Sequence, residues 1–180
     1  MERIIERARE LADAKHGGMH IPDKALTPMM EHVSEVATLV ESQGGTSEMI
    51  AAAWLHDVVE DTDVTLDQVG EWFGPSVRAL VDGLTDPEDF AAKPLEERKH
   101  LQAERIRDLS EDVKRIKLCD QLSNVRRVLD RPPHDWSAEE QFTYIQGAHK
   151  IVLECRGLWP ALDEQFEAAY ATAQRRYARP

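Results

Sequence analysis

Two histidines and two aspartates in this chain have the types and spacing of a divalent metal site. His32, the adjacent pair His56-Asp57, and Asp120 lie in three separate segments. Imidazole and carboxylate groups together suit Mn, Fe, Co, Ni or Zn, and two of each leave room for water in an octahedral shell, which favours Mn(II) or a similar ion. A metal that activates bound water points to hydrolysis of a phosphate ester or anhydride.

Two further carboxylates, Glu60 and Asp61, follow the His56-Asp57 pair within about one helical turn. On a continuing helix, Glu60 lies near both members of the pair and Asp61 lies near Asp57. Crowded carboxylates repel one another unless a cation lies among them, and acidic side chains at the C-terminal end of a helix oppose its dipole. The alternative is a solvated acidic helix end. We interpret Glu60 and Asp61 as catalytic groups.

Each candidate ligand also has an ordinary structural explanation. Alone, His32 could make a structural hydrogen bond on a helix face, and Asp120 could be a surface aspartate. The His56-Asp57 pair is harder to explain in this way, because it lies between the apolar runs AAAWL and VV. Charged groups in so apolar a segment are normally paired or bound to a metal. Spacing alone does not establish which of these side chains converge.

The elements that must position these residues are predicted to be helices. Apolar residues recur every three to four positions, so the fold class is all-α. Thr27, followed by Pro28, and Thr46 have the positions of N-caps, and capping boxes begin at Thr65 and Ser137. The predicted helices are about 3–15, one from Pro28 that carries His32, one after Thr46 that carries His56-Asp57, then 65–73, 76–84, 95–109, 111–130, 137–156 and 160–177, with loops at 16–28 and 86–94.

Length and composition indicate an ordinary globular chain. Its 180 residues suffice for a real core, and we predict a single domain over residues 1–180. Hydrophobic residues make up 42% and the net charge is −12, which disfavours a general nucleic-acid binder. No apolar stretch reaches membrane-spanning length, and the N-terminus has the pattern of an amphipathic helix rather than a signal peptide. Cys119 and Cys155 are predicted to be reduced core residues of a cytoplasmic protein. The oligomeric state stays open.

The four candidate ligands resemble the H…HD…D signature of the HD-domain metal phosphohydrolases. HD alone is a weak motif, but longer strings are more specific. The strings AAAWLHDVVEDTDVTLDQVGEWFGPSVRALVDGLTD (51–86) and IKLCDQLSNVRRV (116–128) resemble the hydrolase domain of the RelA/SpoT family. His16, Thr27-Pro28 and Tyr144 also stand where the stand-alone members of that family have such residues. The resemblance covers about residues 8–170 and implies an HD-type helical bundle.

The resemblance implies a reaction and a role for each candidate residue. Enzymes of this family use Mn(II) to remove pyrophosphate from the 3′ position of guanosine tetra- or pentaphosphate, so the implied partner is a small nucleotide. Glu60 and Asp61 would position or deprotonate the attacking water. The implied substrate contacts are Asn124 for the ribose or phosphate side, Tyr144 for the nucleoside, and Lys15, His20 and Lys24, with Lys99, Arg98 and Arg126 as further phosphate-binding candidates.

The loop after the first helix departs from the family pattern. Family members usually carry an Arg-Lys pair that contacts the base, whereas the matched residues here are Ile21 and Pro22, which supply no side-chain hydrogen-bond donor. His20 and Lys24 flank the gap and could partly substitute. The other departures are Gln121, where the family has Arg or Lys, and Ser123, where it often has His or Tyr. We therefore expect hydrolysis of guanosine or adenosine alarmones, with the choice of base open.

Two competing functions remain at this stage. One is an HD phosphatase that acts on NADPH or another phosphorylated nucleotide, which the altered loop keeps open. The other is a non-catalytic nucleotide sensor on an HD scaffold, and the retained Glu60 and Asp61 argue against it. A purely structural protein is disfavoured, because buried carboxylates and imidazoles would then lack compensation.

Overall fold

The computed structural model describes residues 2–23 and 25–177, and within these ranges the regular structure is helical. No strand occurs in the described part of the chain, where only the isolated bridges His20–Pro28 and Asp23–Pro133 pair extended backbone. The all-α prediction is confirmed. The α-helices are α1 (Glu2–His16), α2 (Met29–Ser42), α3 (Ser47–Leu55), α4 (Val58–Asp61), α5 (Leu66–Phe73), α6 (Pro75–Leu84), α7 (Leu95–Arg107), α8 (Glu111–Asp130), α9 (Ala138–Leu153) and α10 (Pro160–Tyr177).

The chain divides into two compact units. The α1–α6 unit is built around α3, which packs against α1, α2 and α6. The sequence of α3, SEMIAAAWL, is apolar on nearly every side, and residues 49–53 are buried, as expected for a helix surrounded by others. The α7–α10 unit also contains the segment Pro22–Leu26, and in it α9 packs against α7, α8 and α10. A single domain over residues 1–180 remains a prediction.

Local capping signals place most helix starts where the sequence predicted them. The Thr46 side chain accepts a hydrogen bond from the Met49 N–H at 3.2 Å at the start of α3. Complete capping boxes begin α5 at Thr65 and α9 at Ser137. These contacts satisfy backbone N–H groups that the first helical turn leaves unpaired. The 86–94 loop is more ordered than expected, since it contains a 3₁₀ helix at Glu88–Ala92.

The predicted N-cap of α2 is wrong. Pro28 occupies the cap position, no side chain caps the helix, and α2 begins at Met29. The backbone before α2 is engaged elsewhere, because the Thr27 carbonyl accepts a hydrogen bond from the Ile21 N–H at 2.8 Å and His20 pairs with Pro28. The loop is therefore closed on itself by backbone hydrogen bonds, and the helix starts one residue later than the motif suggests.

The helix predicted to carry the His56-Asp57 pair ends before it. α3 stops at Leu55, both members of the pair lie in a turn, and α4 starts at Val58. Helical spacing survives the break, because the Asp61 N–H still donates to the Asp57 carbonyl at 3.0 Å. The pair thus sits at the end of the most buried helix, with Glu60 and Asp61 one turn further on.

Both cysteines have the environment that the sequence predicted. Cys119 and Cys155 are free and buried. Burial raises the pKa of the Cys155 thiol to about 12 and raises that of Cys119 as well, so neither is a nucleophile near neutral pH. Within the described ranges, no helix has the length and apolar character needed to span a membrane.

Candidate metal centre and active site

The orientation of His56 is fixed by the helix that precedes it. Its ring is buried, and Nδ1 lies 2.7 Å from the carbonyl oxygen of Ala53, one turn back in α3. A carbonyl can only accept a hydrogen bond, so Nδ1 carries the proton and Nε2 presents a lone pair. This is the tautomer that a metal-binding histidine requires, with its second nitrogen anchored to the backbone.

Three ligand atoms converge in the α1–α6 unit. His56 Nε2 lies 3.2 Å from His32 Nε2 on α2 and 3.2 Å from Asp57 Oδ2, and the His32 and Asp57 atoms are 3.7 Å apart. Neighbouring ligands in an octahedral shell with metal–ligand distances of about 2.1 Å lie about 3 Å apart. His32, His56 and Asp57 therefore form a candidate divalent metal site whose separations and donor types fit one ion.

Glu60 and Asp61 differ in how they are held. Glu60 is exposed, and its Oε1 accepts a hydrogen bond from the Asp86 N–H at 2.6 Å. Burial and the negative charge of Asp57 raise the pKa of Asp61 to about 6, against the opposing effect of His56 and His32. Glu60 is thus anchored to the backbone. Asp61 lies beside the candidate ligands and has a raised pKa.

His16, which only the family resemblance singled out, is also placed at this site. Its ring, at the end of α1, is fully buried, and neither nitrogen has a hydrogen bond of good geometry. Nε2 lies 3.8 Å from Asp61 Oδ2. Burial lowers the pKa of the imidazole despite the nearby charge of Asp57. The sequence signal that could have found it is its position on the buried face of α1.

The predicted substrate residues near α1 have their own partners. Lys15 forms an ion pair with Asp63, and that ammonium group holds the pKa of the Asp63 carboxyl below its usual range. His20 is exposed in the loop before α2. Lys24, the third predicted basic contact here, lies outside the described residues.

Asp120 belongs to the α7–α10 unit and is held by three donors. Its carboxylate accepts hydrogen bonds from Gln121 Nε2 at 2.9 Å and from Asn124 Nδ2 at 2.6 Å, and Lys117 Nζ lies 3.0 Å away. Lys117 is not among the residues predicted above, although its position three residues before Asp120 on a helix predicts such a pair. Asn124 in turn accepts from Arg127 Nη2 at 2.9 Å.

A buried lysine extends this network. Lys99 is 4% exposed, donates to Gln121 Oε1 at 3.1 Å, and places its ammonium 4.2 Å from the centre of the Tyr144 ring. Gly147 makes room for it, because a Cβ there would lie 2.5 Å from Lys99 Cβ. Burial raises the pKa of the Tyr144 phenol to about 12. No local pattern predicts contacts between residues so far apart in sequence.

The two residues that replace the family's Arg-Lys pair face different surroundings. Ile21 is a buried core residue, so its side chain is directed inward. Pro22 is exposed, and its carbonyl lies 3.2 Å from His134 Nδ1. Ser123, another departure from the family pattern, is buried on α8. Apolar burial at Ile21 and a backbone contact at Pro22 thus fix the loop at these two positions.

Comparison with known proteins gives one consistent result. The family model described as an HD domain matches residues 8–146. Guanosine-3′,5′-bis(diphosphate) 3′-pyrophosphohydrolase MESH1 from Danio rerio is 34% identical over 93% of this chain and 92% of its own length, and its Homo sapiens counterpart is 36% identical over 90% and 89%. A solved structure described as a metazoan ortholog of SpoT that hydrolyses ppGpp aligns with a TM-score of 0.86 at 32% identity, covering 94% of each chain.

Proposed function

The chain belongs to the HD-domain family, and we propose that it is a 3′-pyrophosphohydrolase of purine nucleotide alarmones. The observation that carries this proposal is the convergence of His32, His56 and Asp57 in a chain similar along most of its length to enzymes with that name. Hydrolysis would break the bond between the ribose 3′ oxygen and phosphorus. Pyrophosphate would leave, and the ribose would keep a hydroxyl.

The three converging side chains would hold the metal, with Asp120 as the fourth ligand by its place in the family motif. We propose Mn(II), because mixed imidazole and carboxylate ligands suit it and leave room for water. When bound, the ion would lower the pKa of a coordinated water and polarise a phosphate oxygen. Lys117, Gln121 and Asn124 would keep the Asp120 carboxylate oriented.

The two carboxylates after the His56-Asp57 pair would handle the attacking water. The pKa of Asp61, at about 6, is close to the value at which a carboxylate accepts a proton effectively near neutral pH. Glu60 is anchored through Oε1 to the Asp86 N–H, and it is proposed to orient the same water. Their retention is the main argument against a non-catalytic sensor.

The substrate would be held by polar and basic side chains. Asn124 is proposed for the ribose or phosphate side and Tyr144 for the nucleoside, with Lys15, His20 and Lys24 as further contacts. Lys15 would exchange Asp63 for a phosphate group to do so. The remaining phosphate-binding candidates are Arg98, Lys99 and Arg126.

The base specificity is proposed to be relaxed. Ile21 is buried and Pro22 has no side-chain donor, so neither reads the edge of a guanine. Guanosine and adenosine 3′-diphosphates are therefore both proposed substrates. Neither nucleic acid nor a membrane is a proposed partner, and the cytoplasmic location remains a prediction.

A turnover assay tests the proposal. Metal-stripped protein reloaded with Mn(II) is given guanosine and adenosine 3′-diphosphate alarmones side by side, and the products are separated by chromatography. We expect pyrophosphate release from both. Release from one alone would assign base selection to other residues, and release from neither would overturn the proposal and direct attention to phosphate release from NADPH.

A further inference from the structure

The histidine at the end of α1 is a polar group without a described function. His16 is fully buried, and neither ring nitrogen makes a hydrogen bond of good geometry. A buried donor or acceptor left without a partner costs about 1–3 kcal/mol. An alanine at this position would avoid that cost, since Ala8 and Ala12 already occupy the buried face of the same helix.

Two groups face His16: the backbone of Asp57, whose contact with the ring lacks good hydrogen-bond geometry, and the Asp61 carboxylate. Asp61 Oδ2 lies 3.8 Å from His16 Nε2, beyond a hydrogen bond by less than about 1 Å. These two side chains differ in exposure. The imidazole is fully buried, whereas the Asp61 side chain is 38% exposed and lies at the end of the one-turn helix α4. A small rotation of the partly exposed carboxylate toward the buried ring would close the gap.

We propose that His16 is a positioning residue that donates a hydrogen bond from Nε2 to Asp61 Oδ2. The inference rests on the proposed function, in which Asp61 handles the attacking water. With Oδ2 engaged by the imidazole, Oδ1 is the oxygen left to accept a hydrogen bond from that water. The buried His16 ring thereby favours one orientation of the Asp61 side chain, which is partly exposed at the end of α4.

Removing the imidazole should reduce turnover without reducing binding. For His16→Ala we expect kcat to fall about 10–100-fold, while KM and the dissociation constant for Mn(II), measured by calorimetry, change less than about threefold. His16→Gln keeps an N–H donor at a similar reach and should recover most of the loss. Ala12→Gly is the matched control, because it weakens the same buried helix face without removing a polar group.

A double-mutant cycle separates positioning from general damage. If His16 acts through Asp61, then His16→Ala should cost at most about twofold in kcat when Asp61 is already alanine. Independent, multiplicative losses would overturn the proposal. So would a loss of kcat in Ala12→Gly equal to that in His16→Ala, or a loss of Mn(II) affinity large enough to explain the lower turnover.

One readout does not depend on activity. In protein loaded with diamagnetic Zn(II), nitrogen NMR should show His16 Nε2 carrying a slowly exchanging proton, and Asp61→Ala should make that proton exchange rapidly. An unprotonated Nε2, or an unchanged signal in the variant, would contradict the hydrogen bond. If the wild-type chain hydrolysed no 3′-diphosphate, the proposed function would fail while this measurement still decided whether the contact exists.

Discussion

The two units of the molecule differ in how their buried polar side chains are arranged. In the α1–α6 unit, His32, His56 and Asp57 bring their ligand atoms within 3.7 Å of one another, and His16 is buried nearby without a good hydrogen bond. In the α7–α10 unit, Asp120 is surrounded by donors from one continuous network. In the first arrangement ligand atoms converge, and in the second a carboxylate is held by hydrogen bonds and an ion pair.

This difference separates ligand atoms that converge on one point from a carboxylate that its neighbours already orient. Converging lone pairs and a carboxyl with a pKa raised to about 6 are stabilised when a cation enters among them. A carboxylate that already accepts several hydrogen bonds is oriented at all times. Changes to His32, His56 or Asp57 should therefore act directly on metal binding and turnover, whereas changes that disturb the packing around the Asp120 network should also lower stability.

The largest expected effect is the loss of the carboxylate ligand. Asp57→Ala should abolish Mn(II) retention and reduce turnover at least about 1,000-fold, because the ion would lose one of its two proposed carboxylate ligands. Metal content by mass spectrometry and the alarmone assay measure both effects. Asp67→Ala, which removes an exposed acid, is the control. Full activity in the Asp57 variant would show that the site is assigned to the wrong residues.

Glu60→Ala should separate metal binding from chemistry. We expect Mn(II) to remain bound while kcat falls about 100-fold or more, since the variant removes a group that orients water. Glu71→Ala, an exposed acid on α5, should change neither quantity. Loss of the metal from the Glu60 variant would instead make Glu60 a ligand.

The next largest expected effect is a loss of stability caused by a substitution in the α7–α10 unit. Gly147→Ala would place a Cβ 2.5 Å from Lys99 Cβ, so the lysine must move and its contacts with Gln121 and Tyr144 should weaken. We expect a loss of about 1–3 kcal/mol in the free energy of unfolding, measured with urea. Gly18→Ala meets no atom within 4 Å and is the matched control. Equal stability of both variants would contradict the tight packing described here.

The smallest predicted effect concerns Asp61 in the metal-free protein. Its folded pKa of about 6 lies above the ordinary value of 3.8, so the unfolded chain releases this proton first as the pH rises. Its contribution to stability is present below about pH 4 and is lost through pH 6. Because the side chain is 38% exposed, solvent screening limits the effect to about 1 kcal/mol.

The variant Asp61→Asn has a neutral side chain at every pH, so it isolates the contribution of Asp61 ionisation to the free energy of unfolding. Thermal unfolding of the metal-free variant should show a gain in stability relative to the wild type at pH 8 and none at pH 4. If the variant and the wild type differed in stability by the same amount at both pH values, folding would not raise the pKa of the Asp61 carboxyl.

Much of the fold follows from local sequence, because capping is a local interaction. The boxes at Thr65 and Ser137 begin α5 and α9 as predicted. The start of α2 was misplaced because Thr27 is engaged by the Ile21 N–H, a contact set by the loop rather than by the helix. The turn at His56-Asp57 was missed because the segment keeps helical spacing across the break.

The candidate site could likewise be predicted from the sequence only in part. Residue types and motif order predicted His32, His56 and Asp57 as candidate ligands, but only the fold brings their ligand atoms together. The position of His16 on the buried face of α1 predicts its burial but not its neighbour Asp61. The contact of Lys99 with Tyr144 depends on packing between helices distant in sequence, for which the chain carries no local signal. Composition identifies groups that could react, whereas packing determines which of them face one another.

The most direct test of the central claim is a titration of metal-stripped protein with Mn(II), followed by the rate of pyrophosphate release. If His32, His56 and Asp57 hold the catalytic metal, we expect no turnover in the presence of chelator, a linear rise with added Mn(II), and a plateau at one equivalent per chain, with Asp57→Ala flat throughout. Full turnover by the chelated protein, or an Asp57→Ala variant that follows the wild-type curve, would contradict this assignment.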